Sequence, residues 1–249
     1  MKAEYERHNE HRALWANKPV LREVYSHLYR RIVDQLAPGT VLEVGGGSGN
    51  LKAFAPEIFS FDIVRAPWLD FVADAQQLPI ACDSVKNLVM LDVLHHIEFP
   101  RRFLSEAMRV LAPGGRVIMV EPGVTALSWF FYKFLHEEPT DMTVDPLADG
   151  MPNHSKDPYL GNQGVPTLLF AHRPHLFSRE FPEFDSIRTE WLSLFAYPLS
   201  GGFKRWSLIT PGLARTLLRL EDVIAPVLGR WTGFRLIIVL EKRRASADT

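Results

Sequence analysis

The chain has 249 residues, of which 47% are hydrophobic and 23% charged, a balance typical of a globular protein and not of a disordered or fibrous one. Its formal net charge is -1 and its basic residues are scattered, which argues against a nucleic-acid partner. A single cysteine, Cys82, excludes an intramolecular disulfide framework, and we see no apolar signal segment or membrane-spanning run, so a cytoplasmic protein is expected.

The first predicted element is a helix over residues 19–35. Its apolar side chains recur at helical spacing, and the sequence Ala-Pro-Gly at 37–39 ends it. Together with the polar residues before it, this helix defines an N-terminal helical segment, residues 1–38.

The next part of the chain alternates between strands and helices. Apolar runs predict strands at 40–44, 58–64, 85–93 and 115–122, and a helix over about 100–111 precedes the last of these. This alternation predicts an α/β fold with a Rossmann-like, mostly parallel sheet and helices on both faces. Two later apolar segments, at 185–195 and 234–242, predict the sixth and the last strand. Ligands of such sheets bind beyond the carboxyl ends of the strands.

A glycine-rich turn follows the first predicted strand, in the sequence LEVGGGSGN. A dinucleotide fingerprint fails there, because counting from Gly45 its last glycine is replaced by Asn50, and a Walker loop fails for want of a Gly-Lys pair. What remains is an acid followed by alternate glycines: Glu43, Gly45, Gly47 and Gly49. A plain turn needs only one or two glycines, so the pattern predicts that a ligand approaches the backbone closely.

Three further segments follow in a characteristic order: ADAQQLPI at 73–80, LDVLHHI at 91–97 and RVLAPGGRVIMVEP at 109–122. With the glycine-rich turn, they make residues 40–122 resemble the class I S-adenosylmethionine-dependent methyltransferases, in particular the type 11 subgroup. The resemblance implies an antiparallel last strand and S-adenosyl-L-methionine as the cofactor. In one respect the chain departs from the family: the stretch from Gly49 to Asp62 is short and contains Pro56, so the first crossover helix should be stunted.

The resemblance also implies a set of cofactor contacts. The glycine-rich turn would cradle the methionine part, Asp62 would accept hydrogen bonds from the ribose hydroxyls, and Asp74 would lie near the adenine amino group. The cofactor-binding residues implied are Glu43, Gly45, Gly47, Gly49, Asp62, Ile63, Asp74, Ala75 and Leu91.

Other polar residues near the predicted strand ends have two interpretations each. Asp92 either caps the next helix or points to the region of the transferred methyl group. His95 and His96 either satisfy loop hydrogen bonds or touch substrate, and two adjacent histidines with no nearby cluster of ligands do not predict a metal site. The segment also lacks the polar-Pro-Pro-aromatic signature of enzymes that methylate nucleic-acid bases.

Two insertions distinguish the rest of the chain. We divide it into a cofactor-binding core at 39–122, a lid insertion at 123–183, and residues 184–249 with the last two strands around a second helical insertion. Insertions at the carboxyl edge can fold into a lid over the cofactor. The second contains a glycine turn, YPLSGGF at 197–203, which would serve as a hinge or as a backbone contact to the acceptor.

The lid insertion contains a helical stripe and a polar end. The stripe, typical of a helix face in a core or a substrate wall, comprises Leu127, Phe130, Phe131, Phe134 and Leu135. The polar end comprises His136, Glu137, Glu138 and Asp141, and is either a solvated helix end or a catalytic cluster. We take His136 and Glu137 as the candidate bases.

The sequence therefore predicts a methyltransferase that moves a methyl group by in-line displacement to a small-molecule acceptor, hydrophobic or lipid- or saccharide-linked, without a metal. The principal alternative is a non-catalytic cofactor-binding module that docks a partner through its aromatic lid. A nicotinamide-dependent oxidoreductase is disfavoured by the failed fingerprint. The sequence leaves the acceptor atom and the oligomeric state open.

Overall fold

The computed structural model describes residues 2–135, 138–153 and 156–244. Its centre is a seven-stranded sheet of order β3-β2-β1-β4-β5-β7-β6, in which β7 alone runs against its neighbours. The strands are β1 Val41–Val44, β2 Phe59–Asp62, β3 Phe71–Val72, β4 Val85–Leu91, β5 Leu111–Pro122, β6 Phe184–Leu192 and β7 Arg235–Lys242. The predicted Rossmann-like α/β fold with an antiparallel last strand is confirmed.

Eight α-helices surround the sheet in the described ranges. They are α1 Lys2–Asn17, α2 Pro19–Val33, α3 Pro100–Val110, α4 Ala126–Leu135, α5 Val165–Thr167, α6 Pro174–Glu180, α7 Ala196–Ser200 and α8 Pro211–Thr232. A π-helical turn, Leu168–His172, joins α5 to α6, and a 3-10 turn, Leu94–His96, precedes α3. The connection between β1 and β2 is reduced to a 3-10 turn, Asn50–Ala53, which confirms the stunted crossover.

The sheet is buried on both faces, as its continuous apolar runs predict. Alternate residues of β5 and β7 point to opposite sides: Val117 and Met119 face one core, and Ile118 and Val120 face the other. α3 and the segment from α5 to α6 cover the first face, while α2, α7 and α8 cover the second. The carboxyl ends of β1 and β4, where the chain reverses its order of strands, are therefore the place where a ligand should bind.

The apolar stripe predicted on α4 is present, but most of its side chains are exposed on the protein surface. Phe130 and Phe134 are each 60% exposed and Leu127 is also exposed, whereas Ser128 and Tyr132 face inward. The Tyr132 hydroxyl donates a 2.6 Å hydrogen bond to the Phe234 carbonyl, and the Ser128 hydroxyl is also bonded inside. Phe131 is the exception among the stripe residues with described side chains, because it packs against the core with its ring centroid 5.2 Å from that of Phe234. The exposed members of the stripe are neither core nor the wall of an enclosed site. The side chain of Leu135 lies outside the described residues.

No helix within the described ranges has both the length and the apolar character that a membrane crossing requires.

Candidate active site

The glycine-rich turn lies at the carboxyl end of β1, and the space around its glycines differs from one to the next. Gly45, Gly47 and Gly49 have φ values of 68°, 46° and 72°, a region that side chains other than glycine rarely adopt. A Cβ atom would come within 2.5 Å of Val93 at Gly45 and within 2.6 Å of Trp68 at Gly49. At Gly47 it would meet only the Gly45 carbonyl, at 3.8 Å. Gly47 therefore presents the open backbone surface that an incoming group can approach.

Glu43 lies beneath this turn. It is buried, and Ser60 on β2 donates a 2.5 Å hydrogen bond to its carboxylate. Burial raises the pKa of Glu43 to about 7, although the Ser60 hydrogen bond opposes the rise. The contact joins β1 to β2 directly beneath the turn, and the predicted contact of Glu43 with the cofactor stays a prediction.

Asp62 lies directly beside the turn in spite of the shortened crossover. Its Oδ2 accepts a 3.0 Å hydrogen bond from the Gly47 amide, and its Oδ1 accepts one of 2.9 Å from Val64. The neighbouring Ile63 is 53% exposed at the same edge of the sheet. The nearly buried Asp62 carboxylate therefore lies within reach of a ligand that contacts the Gly47 backbone.

The remaining predicted contacts lie along the same edge. Asp74 is exposed, and its Oδ1 accepts a 2.8 Å hydrogen bond from the Gln76 amide, which fixes a tight local turn. Ala75 packs partly against the core, and Leu91 is half-buried where β4 ends. The chain therefore brings all of the predicted cofactor residues to one margin of the sheet.

Helix α1 roofs the glycine-rich turn, which the sequence did not predict. Tyr5 stacks on Trp68 with ring centroids 6.0 Å apart, and the Arg12 guanidinium lies 4.4 Å from the centre of the same ring. Arg12 also donates a 3.0 Å hydrogen bond to the Ser48 carbonyl. The Trp68 indole in turn donates to the Gly47 carbonyl at 2.8 Å. Roof and turn are thus joined through one tryptophan.

Two histidines of α1 point into the covered site. His8 is 4% exposed, its Nε2 lies 3.9 Å from Asp62 Oδ2, and its Nδ1 has no hydrogen-bond partner among the described residues. His11 stacks on Phe203 with ring centroids 4.2 Å apart. Burial lowers the pKa of His8 and lowers that of His11 to about 4, so both rings are neutral near pH 7. Tyr159 reaches the cluster from the lid insertion, 5.8 Å from the His8 ring.

The second glycine turn anchors this roof. Lys18, which joins α1 to α2, donates hydrogen bonds from Nζ to the carbonyls of Gly202, Lys204 and Trp206 at 2.7, 2.7 and 2.8 Å. Gly202, at the turn, has φ 49°. Within the described structure the turn therefore acts as a docking point for the N-terminal segment, a role that neither of its predicted interpretations included.

Asp92 directly follows β4 and belongs to a buried polar network. It forms an ion pair with Arg235 of β7, and Arg235 donates a 3.2 Å hydrogen bond to Tyr25, whose hydroxyl lies 3.4 Å from Asp92 Oδ2. The Arg235 guanidinium also lies 4.2 Å from the centre of the Tyr197 ring. Asp92 therefore pairs with an arginine instead of capping a helix, and its network walls the site on the β7 side.

A second network surrounds His95. Its Nδ1 lies 2.7 Å from Glu121 Oε2, and its Nε2 lies 3.4 Å from Glu138 Oε2. Burial opposes protonation, but hydrogen bonds to the two carboxylates raise the pKa of His95 to about 9. Glu121 also accepts hydrogen bonds of 2.8 Å from the amides of Val93 and Leu94. His95 thus links two carboxylates at the carboxyl edge, and these carboxylates favour its protonated form.

The ligand atoms of His95, His96 and Glu138 lie within 4.8 Å of one another, close enough to hold a metal ion. Both ring nitrogens of His95 are already engaged by carboxylates, so we interpret the cluster as an ion-paired network.

The two candidate bases, His136 and Glu137, lie outside the described residues. The next residue, Glu138, reaches the site: besides its contact with His95, its Oε2 accepts a 2.5 Å hydrogen bond from Gln163. The adjoining Asp141 carboxylate turns away and binds the amide and hydroxyl of Thr143 at 2.8 and 2.6 Å. The described part of the polar end therefore meets the carboxyl edge through Glu138.

Comparisons with known proteins agree with this architecture. The sequence model of a methyltransferase domain matches residues 42–119. No curated protein matches the chain. A SAM-dependent methyltransferase from Thermotoga maritima, described as a possible histamine N-methyltransferase, has a TM-score of 0.60 at 17% identity, over 98% of this chain and 100% of that one.

Two other solved structures share the fold. A SAM-dependent methyltransferase from Archaeoglobus fulgidus has a TM-score of 0.53 at 14% identity, over 89% of this chain and 94% of its own. The [4+2]-cyclase SpnF has a TM-score of 0.50 at 15% identity, over 88% of this chain and 80% of its own.

The strand order and these superpositions define a Rossmann-like methyltransferase fold. The matched domain runs from β1 into β5 and includes the glycine-rich turn and Asp62. The match over residues 42–119 identifies a methyltransferase domain, and it supports a class I S-adenosyl-L-methionine-dependent methyltransferase that uses S-adenosyl-L-methionine as its cofactor. The family, the enzyme class and the cofactor that the sequence predicted are confirmed.

Proposed function

We propose that the enzyme methylates a small amphiphilic acceptor, a hydrophobic or lipid- or saccharide-linked molecule, at the carboxyl edge of the sheet, where α1 covers the glycine-rich turn. The single observation behind this proposal is the juxtaposition of Gly47, Asp62 and His8: an open backbone surface, a nearly buried carboxylate and a buried imidazole with an uncommitted nitrogen. Buried polar groups need partners, and a polar ligand supplies them.

The cofactor fits this space by the chemistry of its parts. A methionine moiety can lie against Gly47, where a side chain would intrude, and Asp62 can accept hydrogen bonds from a ribose diol. His8 Nε2 lies 3.9 Å from the Asp62 oxygen that binds the Gly47 amide, so the imidazole can hydrogen-bond to the ligand from the roof. Tyr5 and Arg12 hold that roof over Trp68, which would exclude water from the bound cofactor.

When bound, S-adenosyl-L-methionine supplies an electrophilic methyl group on a sulfonium, which an acceptor can take by in-line displacement. The protein has to align the acceptor and accept its proton. His136 and Glu137 remain our candidates for the base, because they directly precede Glu138, which contacts His95 at the carboxyl edge. The Glu121–His95–Glu138 network would then hold the polar end that follows α4 in position, because carboxylates contact both ring nitrogens of His95.

Two measurements test this proposal. Calorimetry should show that S-adenosyl-L-methionine binds to the wild type and that binding falls steeply in Gly47→Val. Incubation with methyl-labelled cofactor and fractionated cell extracts should then place label in an amphiphilic product. Binding without transfer to any fraction would contradict the catalytic part of the proposal while leaving the cofactor site intact.

The alternative is a cofactor-binding module that acts by docking a partner. The exposed aromatic face of α4 supports this alternative, because a partner could dock there. The similarity to the cyclase SpnF also supports it, because the same fold then has roles besides methyl transfer. Label transfer that depends on Gly47 would exclude this alternative.

A further inference from the structure

The outer faces of α4 and α8 form one exposed apolar surface, which we call the α4–α8 face. On α4 it comprises Leu127, Trp129, Phe130 and Phe134. On α8 it comprises Leu220, Val223, Val227 and Trp231. The two helices pack against each other, which brings the two exposed sets to neighbouring parts of the surface. Eight large apolar side chains exposed on two neighbouring helices are typical of a surface that a partner or a membrane covers.

The cations of this surface suggest what covers it. Lys133 lies among the α4 aromatics, with its Nζ 4.6 Å from the centre of the Trp129 ring. Arg230 lies 3.7 Å from the centre of the Trp231 ring, and Arg219 flanks the α8 stripe. Within the described ranges none of these three cations has an acidic partner at salt-bridge distance. The α4–α8 face is therefore apolar at its centre and positive at its margin.

The acids of the two helices do not offset this charge, because they are engaged elsewhere. The Glu221 side chain is buried and accepts hydrogen bonds of 2.7 and 2.6 Å from the amides of Phe195 and Ala196. Asp222 points to α2, where it lies 3.2 Å from His27 and 3.5 Å from Arg31. The described part of α4 contains no acid. The charge of the surface is complementary to an anionic partner.

We propose that the α4–α8 face docks on an anionic phospholipid surface. Tryptophans paired with lysine or arginine above a stripe of phenylalanine, leucine and valine match the chemistry of a membrane interface, where rings lie at headgroup depth and cations meet lipid phosphates. A second copy of the chain would bring its own cations against these and leave them without counter-charge.

An apolar groove of about 260 Å³ opens on the same surface. Leu127 and Phe130 form one wall, Leu194 and Leu199 form the other, and Phe234 lies at its inner side. Phe234 immediately precedes Arg235, which belongs to the buried network beside the active site. If the proposed function holds, the groove would let an acyl or prenyl chain lie between the bilayer and the site, which narrows the acceptor to a membrane-borne lipid.

Vesicle flotation with the full chain tests the docking. We expect the wild type to float with vesicles of 70% phosphatidylcholine and 30% phosphatidylglycerol and to float several-fold less with pure phosphatidylcholine. The double variant Phe130→Glu/Phe134→Glu should lose at least about tenfold of its partitioning. A triple reversal, Lys133→Glu/Arg219→Glu/Arg230→Glu, should abolish the preference for the anionic vesicles.

Phe59→Glu is the matched control, since Phe59 is 54% exposed at the amino end of β2 and undergoes the same change in chemistry. It should float like the wild type. Absence of flotation by the wild type, or equal flotation by the double variant, would overturn the docking proposal. So would a dimer in solution that Phe130→Glu/Phe134→Glu dissociates while no variant floats, because the surface would then be covered by a second copy. Cofactor binding, measured by calorimetry on each preparation, reports the proposed function separately.

Discussion

The covered carboxyl edge and the α4–α8 face depart from the usual burial pattern in opposite ways. Under α1, polar groups such as His8 and Asp62 are almost fully buried, whereas on the outside Phe130 is 60% and Val223 74% exposed. Each departure costs stability unless something compensates it: buried polar groups need hydrogen bonds, and exposed apolar surface needs cover. Both regions are therefore expected to bind a partner. The buried polar groups under α1 suit a polar ligand, and the exposed apolar side chains of the α4–α8 face suit an apolar surface.

The largest effect should come from the base at the polar end that follows α4. Truncating His136 or Glu137 to Ala should lower turnover by roughly 10² to 10⁴, the range for a lost general base. Affinity for S-adenosyl-L-methionine should stay within about twofold, because such a group acts in the transition state and not on the bound cofactor. Turnover is measured with an acceptor found in the labelling experiment.

Asp141→Ala is the control, because its carboxylate is bonded to Thr143 and faces away from His95. Full turnover in both His136→Ala and Glu137→Ala would show that this polar end is a solvated helix end, and the base would have to be sought among the buried groups.

Gly47→Val should have the next largest effect, on cofactor affinity. The substitution places a branched side chain at a φ of 46° on the open face of the turn, so both strain and intrusion oppose binding. We expect the dissociation constant to rise by about a hundredfold, or roughly 2.7 kcal/mol. Gly212→Val is the matched control, since a Cβ there meets nothing within 4 Å. Undiminished binding in Gly47→Val would move the cofactor away from this edge.

Asp62→Ala should weaken the cofactor at least about tenfold, because charge-assisted hydrogen bonds contribute about 1.5 to 3 kcal/mol each. Part of the loss would come from the Gly47 amide, which bonds to the same carboxylate at 3.0 Å. Asp62→Asn keeps one acceptor oxygen and should fall between wild type and Asp62→Ala. Calorimetry that gives the wild-type dissociation constant for Asp62→Ala would place the ribose contact elsewhere, and Asp34→Ala serves as a distant control.

The smallest expected effect is that of pH on the opening of α1, the helix that covers the glycine-rich turn. The pKa of His11 is lowered to about 4 in the folded protein, chiefly by burial and also by His8 and Arg7, from an ordinary value of 6.5. A histidine with a depressed pKa stabilises the closed form above its ordinary pKa, and this contribution is lost as the pH falls from about 6.5 toward 4. The equilibrium constant for opening of α1 should therefore increase about threefold at pH 6 relative to pH 7.

Hydrogen exchange of the α1 amides, corrected for the intrinsic effect of pH, measures this opening. His11→Phe retains a ring against Phe203 but cannot take a proton, so its response to pH should be flatter, with the remainder due to His8. His175→Phe, an exposed site on α6, should respond like the wild type. An unchanged slope in His11→Phe would show that the roof does not titrate through this residue.

The elements that the sequence predicted are those with a local signal. Apolar runs predicted six of the strands, and the spaced glycines predicted the turn after β1. Strand β3, Phe71–Val72, is too short to show a pattern. The shortened crossover was visible because Pro56 and the spacing limit a helix there. These features depend on backbone geometry, which nearby residues determine.

The features that the sequence missed depend on contacts between distant segments. Helix α1 is polar and lacks an apolar stripe, so nothing marked His8 and His11 as a roof, although their spacing of three residues places them on one helix face. The contact of Lys18 with the carbonyl of Gly202 spans 184 residues. On α4 the periodicity predicted an apolar face correctly but could not say what covers it, which is why the stripe was assigned to the core or to a substrate wall.

The most direct test of methyl transfer at this edge uses methyl-labelled S-adenosyl-L-methionine with the lipid and aqueous fractions of a cell extract. With the wild type, we predict label in a product extracted from the lipid fraction. At a cofactor concentration near the wild-type dissociation constant, the yield should fall steeply with Gly47→Val, and it should be reduced with Phe130→Glu/Phe134→Glu on membranes. Label in no fraction, from a protein that binds the cofactor, would contradict the account and identify a binding module in place of an enzyme.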